Sequence, residues 1–244
     1  MKAQSRDSTR KTHDVIVIGG GSAGYAAART ARDAGADVAI VDHGPLGGLC
    51  ILRGCMPTKA ILRSAEVAAL FRRAKEFGLS PVSTLADLSA IVDRKDRLVR
   101  EFADYRIDQL QDPKFTLYQS RAVFLSPHEI AVGDTVLSSG SFILATGSRP
   151  SEVPIPGLDQ AGYFTSDTIL DLRTQPDSLI VLGGGAVALE LGQFFARLGT
   201  KVTILQRGGT LLSEMDEDVG RALEAALIDE GMEVVTGAQW LRTT

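Results

Sequence analysis

Hydrophobic positions along the chain follow two patterns: short β-branched runs that end in glycine, and longer segments with apolar residues at helical spacing. The run Asp14 to Gly19 is followed by an alanine-rich segment, and a second apolar run ends at Asp42. This order predicts a strand, a helix and a second strand of one parallel sheet. The predicted ranges are strand 14–19, helix 22–34 and strand 36–42.

The middle of the chain changes its periodicity. Two segments carry apolar residues at helical spacing with charged residues between them, and Gly78 is typical of a helix stop. Downstream of the second helical segment, the pattern favours short strands joined by turns. The predicted ranges are helices 59–77 and 89–110, strands within 114–137 and a strand 141–145.

The opening pattern returns after a segment that contains Pro154, Pro156 and Gly157. The second occurrence predicts strands 179–183 and 201–206, helices 186–198 and 215–230, and a strand that starts at 232. The fold class is therefore α/β, with two Rossmann-like, doubly wound dinucleotide-binding domains. The second is expected to be truncated, because a doubly wound domain needs more strands. The predicted domains are a disordered leader 1–13, a first dinucleotide-binding domain 14–153, a linker 154–177 and a second, incomplete dinucleotide-binding domain 178–244.

Composition narrows the class of partner. The 244 residues carry a formal charge of −4, so no basic surface for nucleic acid or an anionic membrane is predicted. No apolar run approaches the roughly 18 residues of a membrane span. The polar segment Met1 to His13 does not resemble a secretory signal. The chain has only two cysteines, which favours a reducing, cytoplasmic compartment.

The first glycine cluster, residues 19–24, predicts a dinucleotide site. Gly19 allows a tight turn, Gly21 allows the backbone to approach a pyrophosphate, and Gly24 allows the helix to pack closely on the strand. Asp42 follows about 20 residues later, where a carboxylate can accept hydrogen bonds from ribose hydroxyls. The alternative is a strand–helix turn without a ligand.

The second glycine cluster, residues 183–188, has the same layout, with Ala188 in place of the third glycine. Gly183 and Gly185 would again bring the backbone near a pyrophosphate. Gln206 stands where a carboxylate would favour NADH, and Arg207 follows it. These two residues favour NADPH over NADH, with a solvated surface charge as the alternative for Arg207.

The two cysteines, Cys50 and Cys55, lie just downstream of the first nucleotide segment with four residues between them. This spacing allows a disulfide that cycles with a dithiol, and Arg53, Lys59 and a helix start would favour the thiolate. A structural zinc site would need two further ligands, so no metal site is predicted. Two inert buried cysteines, or a redox sensor without turnover, are further alternatives.

Together the motifs resemble the FAD-dependent pyridine nucleotide–disulfide oxidoreductases. The resemblance rests on the first glycine fingerprint and its acid, on Gly-Gly-x-Cys-x4-Cys-x-Pro-Thr-Lys, on Ala-Thr-Gly and on the second fingerprint. This family includes dihydrolipoamide dehydrogenase, glutathione reductase and mercuric reductase. The segments 187–193 and 195–199 look closest to the mercuric reductase-like members.

The resemblance implies a role for each motif. Cys50 would be the interchange thiol that meets substrate, Cys55 the thiol against the flavin, and Lys59 would pair with Glu190 beside the flavin ring. Hydride would pass from NAD(P)H to FAD and on to the Cys50–Cys55 disulfide. The residues implied to contact FAD are Gly19, Gly21, Ser22, Gly24, Asp42, Gly48, Thr146 and Gly147. Those implied to contact NADPH, or NADH, are Gly183, Gly185, Ala188, Gln206 and Arg207.

The expected function is reduction of a small-molecule disulfide or a metal–thiol substrate of the Hg(II) type, by a homodimer of the full-length protein. Leu49 and Leu52 replace residues that are usually Thr and Asn in the family, which affects the polarity beside the disulfide. The His-Pro-x-x-x-Glu element of the family's catalytic base does not occur in this sequence. We therefore expect an amino-terminal part with little turnover by itself. The alternatives are a non-catalytic flavin-binding or redox-sensing fragment, a dihydrolipoamide dehydrogenase working oxidatively, and a flavin oxidase or transhydrogenase with incidental thiols.

Overall fold

A computed structural model describes residues 10–80 and 85–239. The predicted leader residues 1–9 and the last residues of the predicted second domain, 240–244, lie outside the described part. By internal packing the chain divides into two compact units. Unit 1 comprises residues 1–52 and 99–149, and unit 2 comprises residues 53–98 and 150–244.

The secondary structure is mixed. The strands are β1 (Arg10–Thr12), β2 (Val15–Ile18), β3 (Val38–Val41), β4 (Thr116–Tyr118), β5 (Ala122–Ser126), β6 (Glu129–Val132), β7 (Thr135–Ser138), β8 (Ser141–Leu144), β9 (Ser178–Leu182), β10 (Lys201–Leu205) and β11 (Glu233–Val235). The helices are α1 (Ser22–Asp33), α2 (Gly48–Leu52), α3 (Cys55–Arg72), α4 (Leu88–Leu110), α5 (Leu158–Ala161), α6 (Ala186–Leu198) and α7 (Glu217–Asp229). Short 3-10 helices cover Ala74–Phe77 and Ile169–Asp171.

The main sheet of unit 1 is parallel, in the order β4-β3-β2-β8. Ile18 is in register with both Val41 and Leu144, so the carboxyl ends of β2, β3 and β8 lie at one edge. The central strands β2 and β3 are rich in valine and isoleucine because residues on both of their faces are buried. Val17 and Ile40 are fully buried and pack with Leu110 of α4 in the core beneath α1.

A second sheet of unit 1 has the order β1-β7-β6-β5, in which β1 is parallel to β7. The predicted disordered leader is wrong at its end, because Arg10–Thr12 forms β1 and His13 is only 8% exposed. His13 is fixed by its Nδ1 against Asp37 Oδ2 at 2.9 Å and by its Nε2 against the Tyr118 hydroxyl at 3.3 Å. The pairing depends on residues more than a hundred positions away, so the local sequence carries no signal for it.

Unit 2 is built on a parallel sheet in the order β11-β10-β9. Its core joins Phe194, Phe195 and Ile204 with Ile61 and Ala65 of α3. Helix α3 begins at Cys55, four residues before the predicted start, because Pro57 lies in the first turn, where a missing N–H costs no hydrogen bond.

Two findings refine the predicted domain ranges. The segment predicted as a linker, 154–177, contains α5 and the 3-10 helix at 169–171, and residues 53–98 group with the second half of the chain. The predicted fold class is confirmed: each unit is an α/β structure on a parallel sheet whose first two strands, β2 and β3 or β9 and β10, are joined by a helix. The assignment of the ranges to two cofactors stays a prediction.

Candidate dinucleotide and dithiol sites

The first glycine cluster makes the turn from β2 into α1. The Gly19 amide donates to the Val41 carbonyl at 2.8 Å, and Gly19 has a φ of +106°, which favours glycine. A Cβ at Gly19 would lie 2.2 Å from the Ala145 carbonyl oxygen, and one at Gly24 would lie 1.8 Å from the Gly19 carbonyl oxygen. Only glycine is compatible with the close packing at both positions.

The amino terminus of α1 is left open by this turn. Gly21 is the N-cap, and no side chain caps the helix, which begins at Ser22. Gly48, the first residue of α2, lies so close that an added Cβ would be 2.4 Å from the Gly21 Cα. Glycine backbone therefore lies against the amino terminus of α1, and a glycine turn that leads into a helix amino terminus is the arrangement that binds pyrophosphate in dinucleotide folds.

Asp42 lies directly after β3 and is half-buried. Its Oδ2 accepts a hydrogen bond from the Gly20 amide at 2.6 Å, and its Oδ1 accepts one from the Gly44 amide at 2.7 Å. An ionised carboxylate has about four lone-pair sites, so acceptor capacity remains for ribose hydroxyls. The sequence predicted the acid but not these two amide partners, which position it.

Thr146 and Gly147 follow β8 and are exposed. The Ala145 amide donates to the Ile18 carbonyl at 2.8 Å, so the predicted Ala-Thr-Gly turn lies beside the first glycine cluster. In open α/β sheets, ligands bind at the carboxyl edge where strand order reverses, here between β2 and β8. The structure thus brings the predicted FAD residues of unit 1 to one edge.

The second glycine cluster repeats the turn in unit 2. Gly183 has a φ of +109° and its amide donates to the Leu205 carbonyl at 2.8 Å. Gly185 is the N-cap of α6, again without a side-chain cap, and Ala188 occupies the first turn. The open helix amino terminus is therefore present a second time, as the sequence predicted.

Gln206 lies directly after β10, in the position that corresponds to Asp42. Its Oε1 accepts from the Gly184 amide at 3.1 Å, and its Nε2 donates to the Thr210 carbonyl at 3.1 Å. Arg207 is exposed beside it. The sequence did not indicate this role of Thr210, because every residue has a backbone carbonyl and the residue type does not show which one accepts a hydrogen bond.

The cysteine segment is helical on both sides of a turn. Cys50 lies in α2 and is half-buried, whereas Cys55 is the exposed first residue of α3. Gly54 is the N-cap of α3 without a side-chain cap, so the helix dipole favours negative charge at this end. Arg53, between the cysteines, lies 3.9 Å from the Asp167 carboxylate, a partner that the sequence did not reveal.

Lys59 and Glu190 meet although they are 131 residues apart in the chain. The Lys59 Nζ lies 2.5 Å from the Glu190 Oε1, with the two side chains 59% and 36% exposed. Lys59 lies one turn into α3, and Glu190 lies in the first half of α6. The structure therefore brings together the pair that the family resemblance predicted, while its role stays a proposal.

Two general observations complete the geometry. Within residues 10–80 and 85–239, no helix is both long and apolar enough to cross a lipid bilayer. In the same ranges, no three His, Cys, Asp or Glu side chains come together as a set of metal ligands.

Comparison with known proteins places these features in context. A sequence profile of the family described as pyridine nucleotide-disulphide oxidoreductase matches residues 13–243. The chain is 36% identical to a mercuric reductase of Lysinibacillus sphaericus over 94% of this chain and 42% of the relative. It is 34% identical to a dihydrolipoyl dehydrogenase of Acholeplasma laidlawii, over 94% of this chain and 70% of the relative.

A solved structure is also similar. The HOCl-induced flavoprotein disulfide reductase RclA of Escherichia coli, as its Cu(II) complex, aligns with a TM-score of 0.81 and 27% identity. The alignment covers 96% of this chain and 51% of that chain. The chain spans about half the length of this reductase and less than half of the Lysinibacillus mercuric reductase.

Proposed function

We propose that this chain, which belongs to the pyridine nucleotide-disulphide oxidoreductase family, carries electrons from NADPH to a redox-active disulfide formed by Cys50 and Cys55. The resemblance inferred from the motifs is confirmed at the level of the family, and a flavoprotein oxidoreductase is the class this family defines. One observation carries the proposal: two uncapped helix amino termini, at Gly21 and Gly185, each stand at the carboxyl edge of a parallel sheet.

The residues of the first glycine cluster fit the ADP half of FAD. Gly21 and Gly48 lie so close together that a Cβ on Gly48 would clash with the Gly21 Cα, Ser22 begins the open helix, and Asp42 offers carboxylate lone pairs to a ribose. Bound FAD would supply a two-electron carrier between a nicotinamide and a disulfide. The chain's own part is to hold that group and to position the thiols.

The second glycine cluster would hold NADPH. Gly183, Gly185 and Ala188 allow a pyrophosphate to approach the amino terminus of α6, as the equivalent residues do in dinucleotide folds. Gln206 is neutral, so it does not repel a 2′-phosphate, and the exposed Arg207 can pair with one.

The thiols would work by exchange. The Cys50 thiolate attacks one sulfur of a substrate disulfide, which forms a mixed disulfide and releases the first substrate thiol. The Cys55 thiolate then attacks the Cys50 sulfur, which releases the second substrate thiol and leaves the Cys50–Cys55 disulfide. Two electrons have passed to the substrate, and one NADPH with one proton restores the dithiol. For Hg(II) bound as a dithiolate, the same two electrons would give elemental mercury.

Lys59 and Glu190 would act as a pair. The salt bridge to Glu190 fixes the direction of the Lys59 ammonium group. We propose that it stabilises negative charge on the reduced cofactor, with Glu190 as the residue that positions it.

The names of the relatives support a disulfide or Hg(II) as the substrate class. Mercuric reductases and dihydrolipoyl dehydrogenases are similar to this chain to nearly the same degree, 36% and 34%. Reduction of a small disulfide or a metal–thiol compound, in the cytoplasm and by a homodimer of the full-length protein, is our leading proposal. Oxidation of a dihydrolipoyl-type dithiol is the second.

The thiol roles are tested by anaerobic reduction of the FAD-loaded chain with NADPH. We expect long-wavelength absorbance that persists in Cys50→Ser and is lost in Cys55→Ser, because only the latter removes the thiol assigned to the flavin. An unchanged spectrum in Cys55→Ser would refute that role. Turnover on a small disulfide and on Hg(II) then separates a reductase from a redox sensor, which would be reduced once and stop.

Nucleotide preference is tested by Arg207→Glu. The affinity for NADPH relative to NADH should fall about tenfold or more, because an ion pair with the 2′-phosphate is replaced by repulsion. Arg221→Glu is the matched control, since Arg221 is an exposed arginine on α7 that pairs with Glu217. Equal effects of the two variants would make Arg207 a general surface charge.

A further inference from the structure

A second candidate site lies in unit 2, on the outer face of α3. It is a cleft of about 420 Å³ bounded, among the described residues, by α3, by residues 85–86, by the start of α4 and by the end of α6. Four arginines line it: Arg63, Arg72, Arg94 and Arg197. None of the lining residues belongs to either glycine cluster or to the cysteine segment.

Two of these arginines are neutralised within the protein. Arg63 pairs with Glu66 at 2.6 Å, and Arg197 makes a two-pronged contact with Glu230 at 2.7 and 2.6 Å. The hydrogen bonds from Arg197 lower the pKa of Glu230, so its carboxylate stays ionised opposite this guanidinium at neutral pH. Neither arginine therefore contributes an uncompensated charge to the cleft.

The other two arginines are held by neutral groups. The Arg72 Nη1 donates to the Arg197 carbonyl at 2.6 Å, and the Arg94 Nη1 donates to the Ala60 carbonyl at 2.8 Å. Within residues 10–80 and 85–239, neither guanidinium has a carboxylate within 4.0 Å. A guanidinium has five N–H donors, so each keeps most of its donors while its position is fixed. The positive charge of Arg72 also helps to lower the pKa of Glu230, so part of that charge is shared with this carboxylate.

The rest of the cleft is apolar. Phe71 is 41% exposed and Val67 is 37% exposed, and both line it together with Ile91 and Leu198. Apolar walls beside fixed charged donors are typical of small-molecule sites, which usually measure about 300–1,000 Å³. The volume and the chemistry of the cleft agree with this class.

We propose that this cleft binds a small organic anion that has an aromatic or aliphatic body, such as an aryl phosphate, sulfonate or carboxylate. Its anionic group lies between Arg72 and Arg94, and its body lies against Phe71. Two guanidinium groups that are held by backbone carbonyls select the anion, and the exposed ring selects the body. This site is separate from the dinucleotide and dithiol sites and does not depend on the function proposed for them.

The test uses 2-naphthyl phosphate as the probe, titrated calorimetrically into the whole chain, and the variants described below distinguish the cleft from the glycine clusters. Inorganic phosphate and 2-naphthol serve as comparison ligands, because the first has only the anionic group and the second has only the aromatic body. We expect binding in the order 2-naphthyl phosphate, then inorganic phosphate, then 2-naphthol. Comparable affinity for inorganic phosphate and 2-naphthyl phosphate, or no binding of the probe, would overturn the proposal.

Variants locate the site. Arg94→Gln should weaken the probe about tenfold, the loss expected for one charge-assisted hydrogen bond. Arg63 also lines the cleft but is already paired with Glu66, so Arg63→Gln should change the affinity for the probe by about twofold or less. Phe71→Ala should lower the affinity for the probe about tenfold and leave the affinity for inorganic phosphate unchanged. Far-ultraviolet circular dichroism checks that each variant is folded.

Two results would contradict the assignment. If Arg94→Gln and Arg63→Gln bind the probe equally well, the cleft is not the binding site. If the affinity falls as the protein concentration rises, with association seen by sedimentation, then a second copy of the chain occupies this face instead.

Discussion

The two glycine clusters have the same backbone arrangement, but a different type of side chain accepts the hydrogen bond from each cluster. In both, the amide of the second glycine, Gly20 or Gly184, donates to the residue that follows the second strand, and a helix with a glycine N-cap begins two residues after that glycine. The acceptor is the carboxylate of Asp42 in unit 1 and the amide of Gln206 in unit 2. The difference lies in the second partner of each side chain.

The second partner explains the residue type. Asp42 meets two donors, the amides of Gly20 and Gly44, and a carboxylate accepts from both. Gln206 meets one donor and one acceptor, the Gly184 amide and the Thr210 carbonyl, which suits a side-chain amide. The choice of an acid or an amide at this position therefore follows from the hydrogen-bond partners in the adjacent loop.

The helices after the two loops also pack differently. The Cβ that an alanine would add at Gly24 lies 1.8 Å from the Gly19 carbonyl oxygen, whereas Ala188 already carries a Cβ at the corresponding place. The approach of helix to strand is thus closer in unit 1. This contrast suggests the following experiments, in order of decreasing effect.

The largest effect is expected for Gly24→Ala against Ala188→Gly. We expect Gly24→Ala to lower the free energy of unfolding by about 2–3 kcal/mol, because backbone must move, despite the better helix propensity of alanine. Ala188→Gly should cost only about 1 kcal/mol through helix propensity. Urea unfolding of both variants provides the comparison, and equal losses would show that the two approaches are alike.

The next largest effect on stability is expected when the side-chain acceptor of each glycine cluster is replaced by the type found in the other cluster. Asp42→Asn places an NH₂ group against a backbone N–H, and Gln206→Glu places a carboxylate oxygen against the Thr210 carbonyl. Each mismatch should cost about 1–3 kcal/mol, measured by urea unfolding at neutral pH. Asp104→Asn, at an exposed position of α4, is the control for the loss of a charge. A neutral result for either exchange would refute the partner argument for that loop.

A smaller, pH-dependent effect is expected at the end of the two helices. Arg197, in the last turn of α6, hydrogen-bonds Glu230 and lowers the pKa of that carboxyl, whereas Arg32 in α1 pairs with the adjacent, exposed Asp33. The stabilisation from Glu230 is complete above its unfolded pKa of about 4.3 and is lost as pH falls through its lower folded value.

The measurement is the difference in unfolding free energy between the parent chain and Glu230→Gln from neutral to acidic pH. The difference should shrink as the solution becomes acidic, while Asp33→Asn should remain near the parent throughout. A difference for Glu230→Gln that does not change with pH would contradict the ionic origin of the contact.

The smallest effect on stability is expected for the Lys59–Glu190 pair. Both side chains are more than a third exposed, so Glu190→Gln should cost less than about 1 kcal/mol. The same variant should slow reduction of the FAD-loaded chain by NADPH, measured by stopped flow, if Lys59 serves the cofactor. Arg63→Gln, which loses an exposed pair elsewhere on α3, is the control and should leave that rate unchanged.

Much of the fold was predictable because its signals are local. Helix α6 has the predicted range 186–198, and the strands beside both glycine clusters lie within their predicted ranges, give or take one residue. Glycine spacing, β-branched runs and helical periodicity are properties of short segments, so a sequence reveals them directly. Among the candidate site residues, the same is true of the two glycine fingerprints.

The features that sequence reasoning missed depend on distant partners. The strand Arg10–Thr12 exists through its pairing with β7, and His13 is buried through Asp37 and Tyr118. The amide of Gln206 is explained by the backbone of Thr210, and the arginine-lined cleft needs α3, α4 and α6 together. Periodicity and residue type carry no record of such contacts. The Lys59–Glu190 pair came only from the family resemblance.

The discontinuous make-up of the two units has a consequence for biosynthesis. Helix α3 leaves the ribosome early, but its core partner α6 is encoded far downstream, and Lys59 precedes Glu190 by 131 residues. At roughly 5–20 residues per second, the apolar face of α3 waits on the order of 10 s for its partner. Through that interval Ile61 and Ala65, which end in the core of unit 2, are exposed on the nascent chain. Nascent-chain length, rather than the stability of the finished molecule, thus sets when this helix needs protection by a chaperone.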